Sequence, residues 1–230
     1  MNKIGFVVAL LDETNDLRKE LKVLKEEKVG GCLVYTIKNN NTSSYLIYSG
    51  VGKANAAHAT SILINKYKVN VVINIGSACS INKGYEISDI CVVSSSIYGD
   101  VDVCVFGYEK NQLPHEPLEF LTTNELNQKI IKLIDIKNHN IHTDCYLSTT
   151  DCFIDKHNFK KFDFHKSTDL IDMEGTAIGQ ICSKYSNVKH AIIKVVSDVY
   201  NKKVTSSKQW TENSVLFKNI ISKIIKSIIN

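Results

Sequence analysis

Arginine is nearly missing from this sequence: of its 28 basic residues, Arg18 is the only arginine. Guanidinium forks that grip phosphate or nucleic acid in two-pronged fashion are therefore scarce, although lysine can hold phosphate as a point charge. The abundance of Lys, Asn and Ile beside so little Arg is what AT-rich coding produces, and is no functional signal. The lysines scatter along polar faces and the formal net charge is only +4, so a solvated surface is expected and no nucleic-acid patch. Only two prolines occur, Pro114 and Pro117, with no repeat and no low-complexity linker, so no domain boundary stands out. The seven cysteines are odd in number and include no CxxC pair and no Cys/His cluster at zinc-ligand spacing. They read as reduced core residues of a cytoplasmic protein, and no metal is expected. No apolar run approaches the length that spans a membrane. The opening "MNKIGFVVALLDETNDL" has no small-residue cleavage site and meets acids at once, so it reads as a first strand and not as a signal peptide. The seven histidines form no evident dyad with a Ser or Cys nucleophile, which weakens any triad chemistry.

What is present is an ordinary core-forming composition. With 230 residues, 43% hydrophobic and 23% charged, the chain suits one domain over 1–230. Ile4–Leu10 is an unbroken apolar run, as expected of a strand buried on both faces. Asp12 and Glu13 then open a polar amphipathic helix predicted to run to about Glu26. "CLVYTIK" and "SSYLIYSG" flank the polar turn "NNNT" as a hairpin. "GVGKANAAHATSILINKY" is a glycine turn feeding a helix, "VNVVINIGSACS" a second buried strand, and "YEISDICVVSSSIY" a third. An irregular segment, Gly99–Pro117, follows. A helix at about Thr123–Ile134, a strand at Ile141–Leu147, a helix after Met173, the strand "HAIIKVVSDV" and a helix at about Trp210–Ile229 complete the chain. Alternating strands and helices predict an α/β fold: a three-layer sandwich with a mixed central sheet flanked by helices.

Ligands of such sheets collect where strands end and turns open. Four polar features fall at such ends: Glu13, Ser77, Glu174 and Asp198. Each has a bland reading. Glu13 suits a first-turn acid facing the helix dipole, Asp198 an N-cap, and "INIGSACS" either an amide cradle or a plain strand-to-loop turn. "GVGKANAA" is neither GxGxxG nor a Walker loop and reads as a packing turn. Glu174 is harder to explain, because Ile171, Met173, Ala177, Ile178 and Ile181 around it are apolar. A carboxylate there needs hydroxyl or amide donors, and a sugar diol would supply them.

Taken together, "IGFVVALLDE", "SGVGKANAA", "INIGSA", "YGDVDVCVFGYEKNQLP", "TTDCFI", "DMEGTAI" and "VVSDV" resemble, in order and spacing, the 5′-methylthioadenosine/S-adenosylhomocysteine nucleosidases of the purine nucleoside phosphorylase superfamily. The resemblance covers nearly the whole chain and implies that superfamily's fold. It implies hydrolysis of the N-glycosidic bond of methylthioadenosine and S-adenosylhomocysteine, with 5′-deoxyadenosine as a further substrate. Adenine and the 5′-substituted ribose are the products, in methionine salvage, and no cofactor is implied. By the same resemblance Asp198 is the general acid at purine N7, with its pKa raised by burial, and Glu13 activates the attacking water. Glu174 accepts the ribose hydroxyls while Met173 packs on the sugar, beside Asp172. Phe153 stacks on adenine, Ile154 binds its edge by backbone groups, and Ser77, Ala78 and Ser197 line the site. Leu10 and Val51, with Phe106 and Pro114 from the partner of a homodimer and Tyr108 nearby, enclose the 5′ substituent. Several positions depart from the family pattern. Lys194 stands for an arginine near the water, Asp172 for a longer acid, "GSACS" for a turn ending in two glycines, and Gly99 for a histidine. Two rivals carry weight: a phosphorylase that uses phosphate instead of water, disfavoured by Glu13 and the lack of arginine, and a silent nucleoside-binding protein, disfavoured because both catalytic acids are present.

Overall fold

The first apolar run becomes β1 (Ile4–Val8), which pairs in parallel with a strand on each side and so has two faces to cover. Phe6 and Val8 enter one apolar cluster and Val7 the other, the period of two expected of a doubly buried strand. The computed structural model describes residues 3–14, 17–39, 42–134, 139–200 and 202–229. After β1 come α1 (Leu17–Glu20), β2 (Val23–Val29), β3 (Cys32–Asn39), β4 (Thr42–Tyr48), α2 (Lys53–Asn65), β5 (Val71–Ser80) and β6 (Ile90–Tyr98). They are followed by β7 (Phe120–Leu121), α3 (Asn124–Leu133), β8 (Ile141–Thr149), β9 (Leu170–Asp172), α4 (Gly175–Ser183), β10 (Lys189–Val199), α5 (Ser206–Glu212) and α6 (Ser214–Ile229).

Among the described residues ten strands make one mixed sheet, ordered β10-β6-β8-β9-β5-β1-β4-β3-β2, with β7 on β6. β10 also pairs with β5, which closes β10, β6, β8, β9 and β5 into a ring and leaves β1, β4, β3 and β2 as an open wing. An apolar cluster drawn from all five ring strands, including Ala78, Val93, Leu147, Leu170 and Val196, binds the ring together. On one side of the sheet Phe217, Ile221 and Ile224 of α6 and Ile130 of α3 pack against it; on the other, Ala56 and Leu63 of α2 and Ile178 of α4 do so. This is the predicted three-layer α/β arrangement.

Two local expectations fail. The helix predicted from Asp12 to Glu26 is broken into a single 3-10 turn at Leu11–Glu13, the one-turn α1, and the strand β2; residues 15 and 16 lie outside the described residues. Lys and Glu favour helix locally, but the free backbone edge of β3 offers a ladder from Val23 to Val29, and tertiary pairing overrides weak propensity. The charges Lys25, Glu26, Glu27 and Lys28 suit an edge strand, where they discourage further pairing. Leu170–Asp172, read as the approach to a helix, is a strand that completes the ring, and the helix expected from Trp210 begins earlier, at Ser206, and restarts after Asn213. The hairpin pairs β3 with β4 as expected, while its turn at 40–41 lies outside the described residues.

Candidate active site

Strands β1, β5, β9 and β10 end around one cavity of roughly 270 Å³. Glu13 reaches it from the 3-10 turn after β1 and is buried. Its Oε1 accepts hydrogen bonds from the Ser77 amide (2.9 Å) and the Ser77 hydroxyl (2.8 Å), and its Oε2 accepts a longer one from the Leu10 amide (3.2 Å). Gly76 leaves room for this approach: a Cβ there would lie 3.2 Å from Oε1, tighter than most side-chain contacts. Saturated on one oxygen and lightly engaged on the other, the carboxylate keeps free acceptor capacity toward the cavity.

Glu174 answers the question its apolar neighbours raise. It is the N-cap residue of α4, buried, and its Oε1 accepts the Gly52 amide at 3.0 Å. Burial, reinforced by the nearby Asp172 charge, pushes its carboxyl up to about 8, against the opposing pull of Lys194. Asp172 faces the cavity, but its oxygens are taken by Lys194 (2.7 Å), the Thr149 hydroxyl (2.5 Å) and the Gly175 amide (2.8 Å). Lys194 is 1% exposed. Burial alone would lower its pKa, yet Asp172, Glu174 and Glu13 together hold it above the ordinary lysine value. The ammonium thus stands behind the cavity as the one counter-charge to this carboxylate group among the described contacts, bonded to Asp172 and not to Glu13.

Asp198 lies near the end of β10, after a register shift between Val196 and Asp198. Its Oδ1 accepts the Ser197 hydroxyl at 2.7 Å, while Oδ2 is buried with no partner at hydrogen-bond distance among the described residues. Burial raises its pKa, more than the neighbouring Cys79, Ser197 and Ser206 side chains lower it. A buried carboxyl with a raised pKa and a second carboxylate lining the same cavity are the kinds of group that the acid and base steps of bond hydrolysis need.

Of the residues singled out from sequence, Leu10, Glu13, Val51, Ser77, Ala78, Phe153, Ile154, Asp172, Met173, Glu174, Ser197 and Asp198 all line this cavity. Lys194 sits behind it. Phe106, Tyr108 and Pro114 lie on the segment between β6 and β7 and do not line the cavity of the single chain; Phe106 is 76% exposed. Cys79 and Trp210 also line it, as do Ala9, Cys152 and Ile171, which sequence reasoning did not place there. Sequence reasoning also missed the clasp at the rim, where Lys53 Nζ meets Asp100 (2.7 Å) and Asp151 (3.3 Å), while its amide donates to Asp151. No spacing rule joins residues so far apart in the chain, so only the fold could reveal them.

A family model described as the phosphorylase superfamily matches residues 3–230. The chain is 34% identical over 229 residues to a 5′-methylthioadenosine/S-adenosylhomocysteine nucleosidase of Buchnera aphidicola subsp. Schizaphis graminum, covering 99% of this chain and 96% of that one. It is 34% identical over 199 residues to the nucleosidase of the same name from Haemophilus influenzae, covering 85% and 86%. Among solved structures, that of the same-named nucleosidase from Colwellia psychrerythraea in complex with adenine superposes with a TM-score of 0.82 at 28% identity, over 98% of this chain and 95% of that one.

Proposed function

The chain belongs to the phosphorylase superfamily and, within it, to the 5′-methylthioadenosine/S-adenosylhomocysteine nucleosidases, and from that premise we propose how its cavity works. It is an N-glycosyl hydrolase that cleaves methylthioadenosine and S-adenosylhomocysteine to adenine and the 5′-substituted ribose; 5′-deoxyadenosine is a further substrate on our reading. Breaking an N-glycosidic bond builds positive charge on the ribose and electron density on the base. Asp198 donates a proton to N7 so that adenine leaves neutral, and its burial and raised pKa support that role. Glu13 orients and deprotonates the attacking water through its lightly engaged Oε2. Glu174 accepts the ribose hydroxyls, which satisfy a carboxylate otherwise bonded only to the Gly52 amide among its described contacts. Met173 packs on the sugar, Phe153 on the base, and Ile154 with Ala78 and Ser197 borders the adenine.

The observation that carries this reading is the meeting of Glu13, Glu174 and Asp198, from three separate strand ends, at one cavity. A phosphate nucleophile is disfavoured at the same place, because Glu13 would repel it. The only arginine is also occupied elsewhere, its exposed side chain paired with Glu26 at 2.9 Å. We further propose a homodimer in which Phe106 and Pro114 complete the partner's 5′ pocket, supported by the exposure of Val105, Phe106 and Leu121. On this reading the whole chain is a single nucleosidase unit, and it works in the cytoplasm, where its seven thiols stay reduced.

The deciding experiment is adenine release from methylthioadenosine and S-adenosylhomocysteine, with and without phosphate, beside Glu13→Gln and Asp198→Asn. Release independent of phosphate and reduced at least about a hundredfold by either substitution is expected. A requirement for phosphate with formation of a ribose 1-phosphate would move the chain to the phosphorylases. Adenine binding without turnover would leave a binding protein.

A further inference from the structure

Trp210 is the only tryptophan, and it enters the site through a polar contact as well as a surface. Its indole Nε1–H donates to Ser77 Oγ at 3.1 Å, and Ser77 Oγ donates to Glu13 Oε1 at 2.8 Å. An indole N–H can only donate and an ionised carboxylate can only accept. A hydroxyl held between them has one favourable orientation, with a lone pair on the indole and its proton on Glu13. Hydrogen bonds aligned in this way also polarise one another in a buried site.

We propose that Trp210 is a positioning residue for Glu13, acting through Ser77; the inference rests on the reading of Glu13 as the group that activates water. With the indole in place, Oε1 is held by two donors on Ser77 and Oε2 is left to orient the water. Without it, the Ser77 hydroxyl can turn its proton away, and Glu13 loses both a donor and a defined rotamer. The ring itself is held from two directions. It packs on buried Phe217 of α6 with centroids 5.4 Å apart. The preceding residue, Gln209, clamps α5 onto the end of β10 by exchanging bonds with Val199: Nε2 to the carbonyl at 3.0 Å, and the amide to Oε1 at 3.1 Å. The short helix that aims Trp210 at the water-activating carboxylate is therefore fastened one residue beyond Asp198, so one element sets both ends of the reaction.

The test is steady-state hydrolysis of methylthioadenosine by Trp210→Phe, Ser77→Ala, the double variant and Glu13→Gln. Phenylalanine keeps an aromatic ring against Phe217 and removes the donor together with part of the ring's bulk. Loss of one aligned hydrogen bond in the site predicts a fall in kcat of about tenfold, with KM changed by less than about threefold. Because both residues act along one chain, the double variant should be no slower than Ser77→Ala alone. A rise in KM with unchanged kcat, or losses that multiply in the double variant, would show that Trp210 is only a wall and overturn the proposal. If Trp210→Phe folds poorly, the isosteric 3-benzothienylalanine at position 210 keeps the shape without the N–H. The same kcat loss then supports the proposal, and wild-type kcat overturns it. Glu13→Gln separates the two levels of inference. An inactive Glu13→Gln beside a fully active Trp210→Phe removes the positioning role alone; an active Glu13→Gln removes both it and the reading of Glu13.

Discussion

Glu174 and Asp198 are both carboxyls whose ordinary acidity is suppressed by burial, yet the proposed mechanism would use them in opposite forms. In that mechanism Asp198 would work with its proton on, whereas Glu174 would serve a sugar best when ionised and accepting. Burial thus opposes the ionised form of Glu174, and the signature of that opposition is pH dependence. A carboxyl held above its ordinary value binds its proton more tightly folded than unfolded. Its stabilisation is complete below the ordinary value of 4.5 and is lost as pH rises through about 8. Lys194, Asp172 and Glu13 face the same group, and Lys194 opposes the shift without cancelling it. Glu174→Gln keeps an acceptor for the Gly52 amide and removes the titration. Its melting temperature minus that of the wild type should increase between pH 5 and pH 8.5, measured without ligand; a flat difference would refute the coupling. The same variant should bind nucleosides more weakly above about pH 8, where the wild-type carboxyl is ionised, since a neutral amide is a poorer partner for two hydroxyls.

The glycine turn between β4 and α2 shows how much an element can hide. From sequence it reads as a packing turn, and it does lead into α2, whose Ala56 and Leu63 pack under the sheet. It also presents the Gly52 amide to Glu174, with Gly52 at φ +100, a conformation that side chains rarely adopt. A Cβ there would also lie 3.2 Å from Asp151 Oδ1, at the rim clasp formed with Lys53 and Asp100. Gly52→Ala should cost about 1–3 kcal/mol in urea unfolding and raise KM more than it lowers kcat, because in the proposed mechanism the amide aims the sugar-binding carboxylate and not the acid. β2 carries the opposite lesson. Its local composition predicts helix, and only the open edge of β3 makes it a strand.

At the scale of the whole molecule, closure of five strands into a ring brings the ends of β5, β9 and β10 beside β1, so acids far apart in sequence share one cavity. The chain also leaves Val105 and Phe106 exposed at 86% and 76%, on a segment that does not line its own cavity. On the proposed dimer these apolar groups are what a second chain would cover. Sedimentation should give the mass of two chains, and Phe106→Asp should weaken that dimer and raise KM for methylthioadenosine together. A monomer with wild-type KM would remove Phe106 from the site.

The sequence by itself determined the α/β class and the buried strands and set Glu174 apart, while the roles proposed for Glu13 and Asp198 came from the family resemblance. Doubly apolar runs, glycine turns and an acid among apolar neighbours are local signals that physics reads without a partner. It could not decide what those carboxylates touch. That Ser77 saturates one oxygen of Glu13, that Trp210 stands behind Ser77, that Lys194 pairs with Asp172, and that Gly52 caps Glu174 are contacts between residues tens to more than a hundred positions apart. Such contacts leave no period or spacing in the chain. They arise only when sheet closure and helix docking bring strand ends together around a buried cavity, where an unpaired polar group is costly.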